Sequence, residues 1–210
     1  MYNVRYHKEN DLEKVKEFIA QNPFAFLTGC DADHKPIVTQ VPTFLEVRNG
    51  KKILCGHIMK HTDHHKAFSQ NPKVLAVFTG KHAYVSGSWY SNPNTASTWN
   101  YMSVHVKGVI RFLEGDDLID IMRKTTLHFE GNNADSPTVF DNLPDDFKQR
   151  ALPMIAGFEI IVEEIDTVFK LSQDRDAESY ENIISKLKTQ NEDGRVIAEE
   201  MEKRKKDLYG

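Results

Sequence analysis

Apolar and polar positions along the chain alternate between a period near two and a period near 3.6, so strands and helices are interspersed. Leu12, Val15, Phe18 and Ile19 share one face of a helix predicted over 10–21, with Asn10 as its cap and Glu13 three residues on. Phe24-Ala-Phe-Leu-Thr28 reads as a short strand, and Asp31-Ala-Asp-His-Lys-Pro36 as a hairpin turn. The stretch 37–47 is β-rich, and Pro42 within it implies an edge or a bulge. Asn49-Gly50 predicts a two-residue hairpin into a strand over 52–56. A short helix follows over 62–70, with Thr62 as N-cap and Asn71-Pro72 as its stop. The unbroken apolar run Val74-Leu-Ala-Val-Phe78 predicts a buried strand.

The next regular pattern is a long strand over 99–112. It sets Met102, Val104, Val106 and Ile110 on a core face and Trp99, Tyr101, Ser103, His105 and Lys107 on the other. That second face points at a ligand, a partner subunit or solvent. A helix is predicted over 116–129 through Leu118, Met122, Thr125 and Phe129, then a loop over 130–142 and a short helix over 144–150 beginning on Pro144. Residues 155–169 return to strand. Tyr180, Ile183, Ile184 and Leu187 mark an amphipathic helix over 177–188, and Glu192-Asp-Gly194 separates it from a last charged helix over 195–208. Six or seven strands with a few helices imply an α+β domain built on a barrel.

Composition bounds the function. A chain of 210 residues with 40% hydrophobic and 28% charged residues is an ordinary globular balance. No apolar run approaches a membrane span, and the N-terminal stretch has no signal-peptide pattern. Cys30 and Cys55 are too few for a disulfide scaffold, so a reducing cytoplasm is the expected location. The net charge is −4, and the one basic run, Lys203-Arg-Lys-Lys206, follows Glu199, Glu200 and Glu202. It reads as a solvated helix face, and direct DNA binding is not expected.

The chemistry concentrates in residues 82–108. Both tryptophans lie here, and Trp89, Tyr90, Trp99 and Tyr101 are interleaved with Ser86, Ser88, Ser97, Thr98 and Asn100. A core strand does not mix aromatics and hydroxyls in this way; the mixture suits a planar ligand with polar edges. Tyr84-Val-Ser-Gly-Ser-Trp-Tyr90, Thr98-Trp-Asn-Tyr101 and Val104-His-Val106 resemble the signature of the PaiB-type FMN-binding regulators. These belong to the FMN-binding split β-barrels, which include the pyridoxamine-phosphate-oxidase-like proteins. Gly56-His57, Phe78-Thr-Gly80, Gly157-Phe-Glu-Ile160 and Lys170-Leu-Ser-Gln173 agree in order. The resemblance implies an FMN-binding split β-barrel over 1–175 with peripheral helices, a C-terminal helical extension over 176–210 packed on it, and a homodimer with flavin between subunits.

It also implies site residues. His57, Lys60, His61 and Thr62 would hold the phosphate end, in a strand-to-helix turn with free amides. Ser86, Trp89, Trp99 and Asn100 would line the ring, and Lys170 and Gln173 would close the pocket. The chain departs from the family where Arg usually stands near Lys60, where Asn-Pro usually stands at Thr62-Asp63, and where Pro usually stands at Gly87. Its loop before Thr98 is also shorter. Three activities follow from these readings: a flavin-dependent regulator, a flavin reductase or oxidase taking hydride from a nicotinamide or a small substrate, and a metal-binding protein. The last rests on His57, His61, His64 and His65, spaced as if along one helix face.

Overall fold

The computed structural model describes residues 4–92 and 94–210; residues 1–3 and Pro93 of the aromatic stretch lie outside them. In chain order the elements are α1 (Leu12–Gln21), β1 (Phe24–Cys30), β2 (Pro36–Arg48), β3 (Lys51–Met59), α2 (Asp63–Gln70), β4 (Lys73–Val85), β5 (Thr98–Leu113), α3 (Gly115–Phe129), α4 (Asp145–Ala151), β6 (Ile155–Lys170), α5 (Ala177–Lys188) and α6 (Glu192–Tyr209). The strands close into a barrel in the order β1-β2-β3-β6-β5-β4. The chain forms two compact units: Lys16–Phe78 with His105–Ile165, and Met1–Val15 with Thr79–Val104 and Asp166–Gly210.

In the first unit, β1 and β2 pair antiparallel from Cys30↔Pro36 to Phe24↔Pro42, and β2 and β3 pair from Thr43↔Gly56 to Arg48↔Lys51. Pro42 was expected at an edge or a bulge. It sits instead where β2 passes from one partner to the other, a place where its missing N–H breaks neither ladder. The neighbouring Thr43 N–H donates to the Pro23 carbonyl at 2.9 Å. Asn49 and Gly50 both take positive φ (51° and 76°), as a two-residue hairpin of right-handed twist demands. Strand β3 pairs with β6 from Met59↔Ile155 to Ile53↔Ile161. A Cβ at Gly108 would come within 2.2 Å of the Ile161 carbonyl oxygen, so β5 and β6 touch backbone to backbone there.

Helix α2 buries Ala67 and Phe68, and the Phe68 ring fills the space beside Gly29. Helix α3 buries Leu118, Ile121, Met122 and Thr125. Phe129, expected on that face, is exposed, because the apolar stripe turns away before the last turn. Ile121 takes the inward role beside Phe44, Ile53, Cys55 and Leu113. An ion network centred on one buried carboxylate lies on neighbouring strand positions. The Glu159 carboxylate accepts from Arg111 Nε at 2.9 Å and from Arg48 Nη2, and Arg48 also lies 2.8 Å from Glu46. Burial alone would raise the Glu159 pKa, but the hydrogen bonds from Arg111 and Arg48 carry it below the ordinary carboxylate value. Burial, with Glu46 nearby, pushes the Cys55 thiol up to about 12, so it packs as a neutral group.

In the second unit, β4 outruns its predicted strand of 74–78 and takes in residues 82–85 of the aromatic stretch. Ala83 and Val85 point inward while His82 and Tyr84 stay exposed, which is ordinary strand alternation. On β5, Met102 and Val104 are buried as expected, and Ser103, placed on the polar face from sequence, is buried too. Helices α5 and α6 pack Tyr180, Ile183, Ile184 and Leu187 with Ile197, Ala198 and Met201 as buried side chains, and the Tyr180 hydroxyl donates to the Met201 carbonyl at 2.9 Å. Glu192-Asp-Gly194, expected as the separator, is the first turn of α6. Asn191 caps it by accepting from the Gly194 N–H at 3.0 Å. A Cβ on Gly194 would lie 2.9 Å from the Leu187 carbonyl oxygen, so glycine there lets α6 start tight against the end of α5. The segment around His7 is laced to the end of β6. Glu9 N–H donates to Thr167 Oγ1 at 2.9 Å, Thr167 Oγ1 donates to the Glu9 carbonyl at 3.0 Å, and Lys8 pairs with Asp166.

Candidate functional site

The histidine-rich turn follows β3, whose last pairs are His57↔Gly157, Ile58↔Ala156 and Met59↔Ile155. Pairing ends when Lys60 N–H donates to the Met154 carbonyl at 2.8 Å. His61 then takes φ 65°, a left-handed conformation that reverses the chain into α2. Thr62 caps that helix as expected: its Oγ1 accepts from His65 N–H at 3.2 Å and donates to the Met59 carbonyl at 3.0 Å. The Asp63 carboxylate accepts from the His64 N–H at 2.7 Å and lies 3.1 Å from His64 Nδ1. Lys60 Nζ lies 3.1 Å from Glu114. His65 stacks edge-on against Phe112, and burial lowers its pKa.

His57 stands out in this turn. Its Nδ1 is a buried atom with no hydrogen-bond partner among the described residues, and burial lowers its pKa, which favours the neutral ring. The free amides expected from sequence are not offered at His64 and His65, whose N–H groups are taken by Asp63 and Thr62; an imidazole nitrogen and the Lys60 ammonium remain as a donor set that suits the anionic end of a mononucleotide. A metal suits it poorly. Among the described residues no group of three or more His, Cys, Asp or Glu is placed to hold an ion, and the left-handed His61 breaks the helical spacing that the metal reading required.

The aromatic residues belong to the other unit. Trp99 is 51% exposed, and its ring meets His82 tilted and Tyr84 edge-on, each at 5.7 Å, so β4 and β5 present an exposed aromatic cluster. Ser86 Oγ accepts from Ser88 N–H at 3.2 Å and caps a single turn, Gly87–Trp89, in which Trp89 is half-buried. Gly87 is required there: a Cβ would lie 2.1 Å from the Thr95 carbonyl oxygen, and its N–H donates to Ser97 Oγ at 3.0 Å. Tyr90 is buried beneath the Arg175 guanidinium at 4.7 Å.

Behind that cluster the predicted residues meet one another. Lys170 Nζ donates to the Trp99 carbonyl at 3.0 Å and to Thr98 Oγ1. Burial lowers its pKa, against the raising effect of Asp174. Asn100 is fully buried. Its Oδ1 accepts from Ser172 Oγ at 3.0 Å and its Nδ2 reaches Met201 Sδ at 3.5 Å, so it supports the surface from within. Gln173 Oε1 accepts from Leu171 N–H at 2.7 Å and lies 3.1 Å from His7 Nδ1. His7 was missed from sequence, since a polar residue 166 positions away gives no local signal.

A family model described as "Putative FMN-binding domain" matches residues 1–164. A Bacillus subtilis protein named "Protease synthase and sporulation protein PAI 2" is 33% identical over 203 residues, which cover 96% of this chain and 97% of that protein. Among solved structures, the flavocytochrome Anf3 from Azotobacter vinelandii superposes with a TM-score of 0.58 at 18% identity, covering 80% of this chain and 72% of that one. The FAD and heme binding protein from Mycobacterium smegmatis gives 0.56 at 14% identity, covering 78% and 73%. These two share the fold.

Proposed function

The chain belongs to the FMN-binding domain family matched over residues 1–164, and on that premise we propose that it is a PaiB-type flavoprotein in which FMN occupancy or redox state controls a regulatory contact. FMN is the family's cofactor and therefore this chain's. The match along most of the chain carries the reading; the buried Nδ1 of His57, in the turn that carries Lys60, supports it. Bound FMN supplies hydride or single-electron transfer.

The chain's own residues bind and orient. Lys60 gives the phosphate a fixed positive charge, His57 Nδ1 and His61 offer imidazole nitrogens, and Thr62, by capping α2, fixes the path of the turn that carries them. Ser86, Trp89 and Trp99 serve the ring end, with Asn100 beneath them and Lys170 and Gln173 at the pocket's margin. The flavin is shared by the subunits of a homodimer. The barrel domain runs over 1–175 with the helices of 176–210 as its extension, and the protein works in the cytoplasm.

Identity to a Bacillus protein named for protease synthesis and sporulation favours the regulatory role. The exposed Trp99 face favours a second reading, a reductase whose nicotinamide or other planar substrate stacks there. Titrations with FMN and riboflavin test the site. The Lys60→Met variant should lose affinity for FMN about tenfold, the scale of one charge-assisted hydrogen bond, while riboflavin affinity stays unchanged. Equal loss for both ligands removes the phosphate assignment. NAD(P)H consumption by the FMN-loaded protein selects the enzyme; FMN-dependent binding of a partner or a duplex without such turnover selects the regulator. Sedimentation of a monomer in the presence of FMN rejects the shared site.

A further inference from the structure

The Lys170–Gln173 turn is held in an unusual shape. Ser172 takes φ 62° although it is not glycine, and it is buried. Two anchors maintain this conformation. Ser172 Oγ donates to the buried Asn100 at 3.0 Å, and the Gln173 amide bridges the turn, accepting from Leu171 N–H and donating to the Phe169 carbonyl. Those two bonds fix which end of the amide is oxygen. Gln173 Oε1 therefore faces His7 Nδ1 at 3.1 Å, and because an amide oxygen only accepts, Nδ1 carries the hydrogen.

His7 is 2% exposed, a degree of burial at which a polar side chain needs a hydrogen-bond partner. It closes the turn Arg5–His7 and meets the Tyr6 ring edge-on at 4.5 Å. The bonds from Lys8 and Glu9 to the end of β6 hold this segment in register with Gln173. Burial lowers the pKa of the imidazole, which favours the neutral donor, while Asp174 raises it and Lys170 lowers it further.

We propose that His7 is a positioning residue for the cofactor, donating to Gln173 and so holding the left-handed turn that sets Lys170 against the Trp99 main chain. This rests on the assignment of Lys170 to the FMN pocket. The role acts through Gln173 and needs no contact between His7 and the flavin.

The test is FMN titration of the full chain, followed by quenching of flavin fluorescence and by the visible flavin bands, with thermal melts of the FMN-free protein alongside. His7→Phe keeps the ring volume and removes the donor. It should weaken FMN binding about tenfold and shift the visible bands, the scale of one hydrogen bond's geometry. His7→Asn, whose amide nitrogen sits close to the Nδ1 position, should restore both. Gln173→Met should reproduce the loss, and the double variant His7→Phe, Gln173→Met should lose no more than either alone. Wild-type affinity and spectrum in His7→Phe, or in Gln173→Met should His7→Phe not fold, overturns the proposal. So do failure of rescue by His7→Asn and additive losses in the double variant. A Lys170→Met variant that binds FMN as the wild type does overturns the link to the pocket. A wild-type chain that binds no FMN rejects the cofactor reading itself, an outcome distinct from all of these.

Discussion

Replacing Glu159 by glutamine should destabilise the fold by about 2 kcal/mol at neutral pH, and the size follows from burial. The carboxylate is 3% exposed, whereas the Arg48 and Arg111 side chains are 37% and 57% exposed. Breaking a fully buried pair costs about 3–5 kcal/mol, and an exposed pair is worth about 0–1 kcal/mol. Here one partner is dry and two reach water, which places the cost between those limits. Glutamine keeps the volume, so no cavity forms. Its amide NH2, however, must face guanidinium groups that only donate. Arg48 keeps Glu46 as a second partner, which holds the figure at the lower side. The pH dependence has a definite sign. Because the Glu159 pKa is lowered on folding, its contribution is complete above the unfolded value of about 4.3 and disappears as pH falls through the folded value. Urea melts of both proteins at pH 7 and at successively lower pH should show the gap in midpoint closing below about pH 4. A gap under about 0.5 kcal/mol at pH 7, or one that persists unchanged in acid, refutes the account of the network.

Gly108→Ala should cost about 3 kcal/mol or prevent folding, because the new methyl group meets the Ile161 carbonyl oxygen at 2.2 Å; an unchanged thermal midpoint contradicts the close approach of β5 and β6. Thr62→Ala should cost about 1 kcal/mol through loss of the α2 cap, measured by denaturant melts, with Thr62→Ser recovering most of it. His7, His57 and His65 all have pKa values lowered by burial, so the unfolded chain binds their protons first. Stability should therefore be full above about pH 6.5 and decline as pH falls below it, and His57→Gln should flatten that slope in melts between pH 7.5 and 5.

The sequence is legible wherever a short-range rule decides the structure. Thr62 caps α2, Asn49-Gly50 turns the β2–β3 hairpin, and the α5 stripe is buried at all four expected positions. The errors occur where tertiary packing overrides the local cue. Pro42 looked like an edge residue because sequence does not show a strand changing partners. Gly194 looked like a break because its tolerance by a helix depends on Leu187 in the helix before it. The aromatic stretch looked unlike a strand because exposed His82 and Tyr84 mask the inward Ala83 and Val85. In the candidate site, the residue types were legible but their employment was not. Asn100 is buried support, and Glu159, read only as part of a motif, is the centre of an ion network whose arginines lie 111 and 48 positions away.

The lacing of Glu9 to Thr167, and of His7 to Gln173, has a temporal consequence. The partners are 158 and 166 residues apart, so during synthesis the segment around His7 is made long before anything exists for it to grip. Closing such a span costs loop entropy that only the finished chain repays. A nascent chain halted short of residue 166 should therefore carry a loose, protease-sensitive segment around His7, which becomes protected only when the end of β6 and Gln173 have been translated.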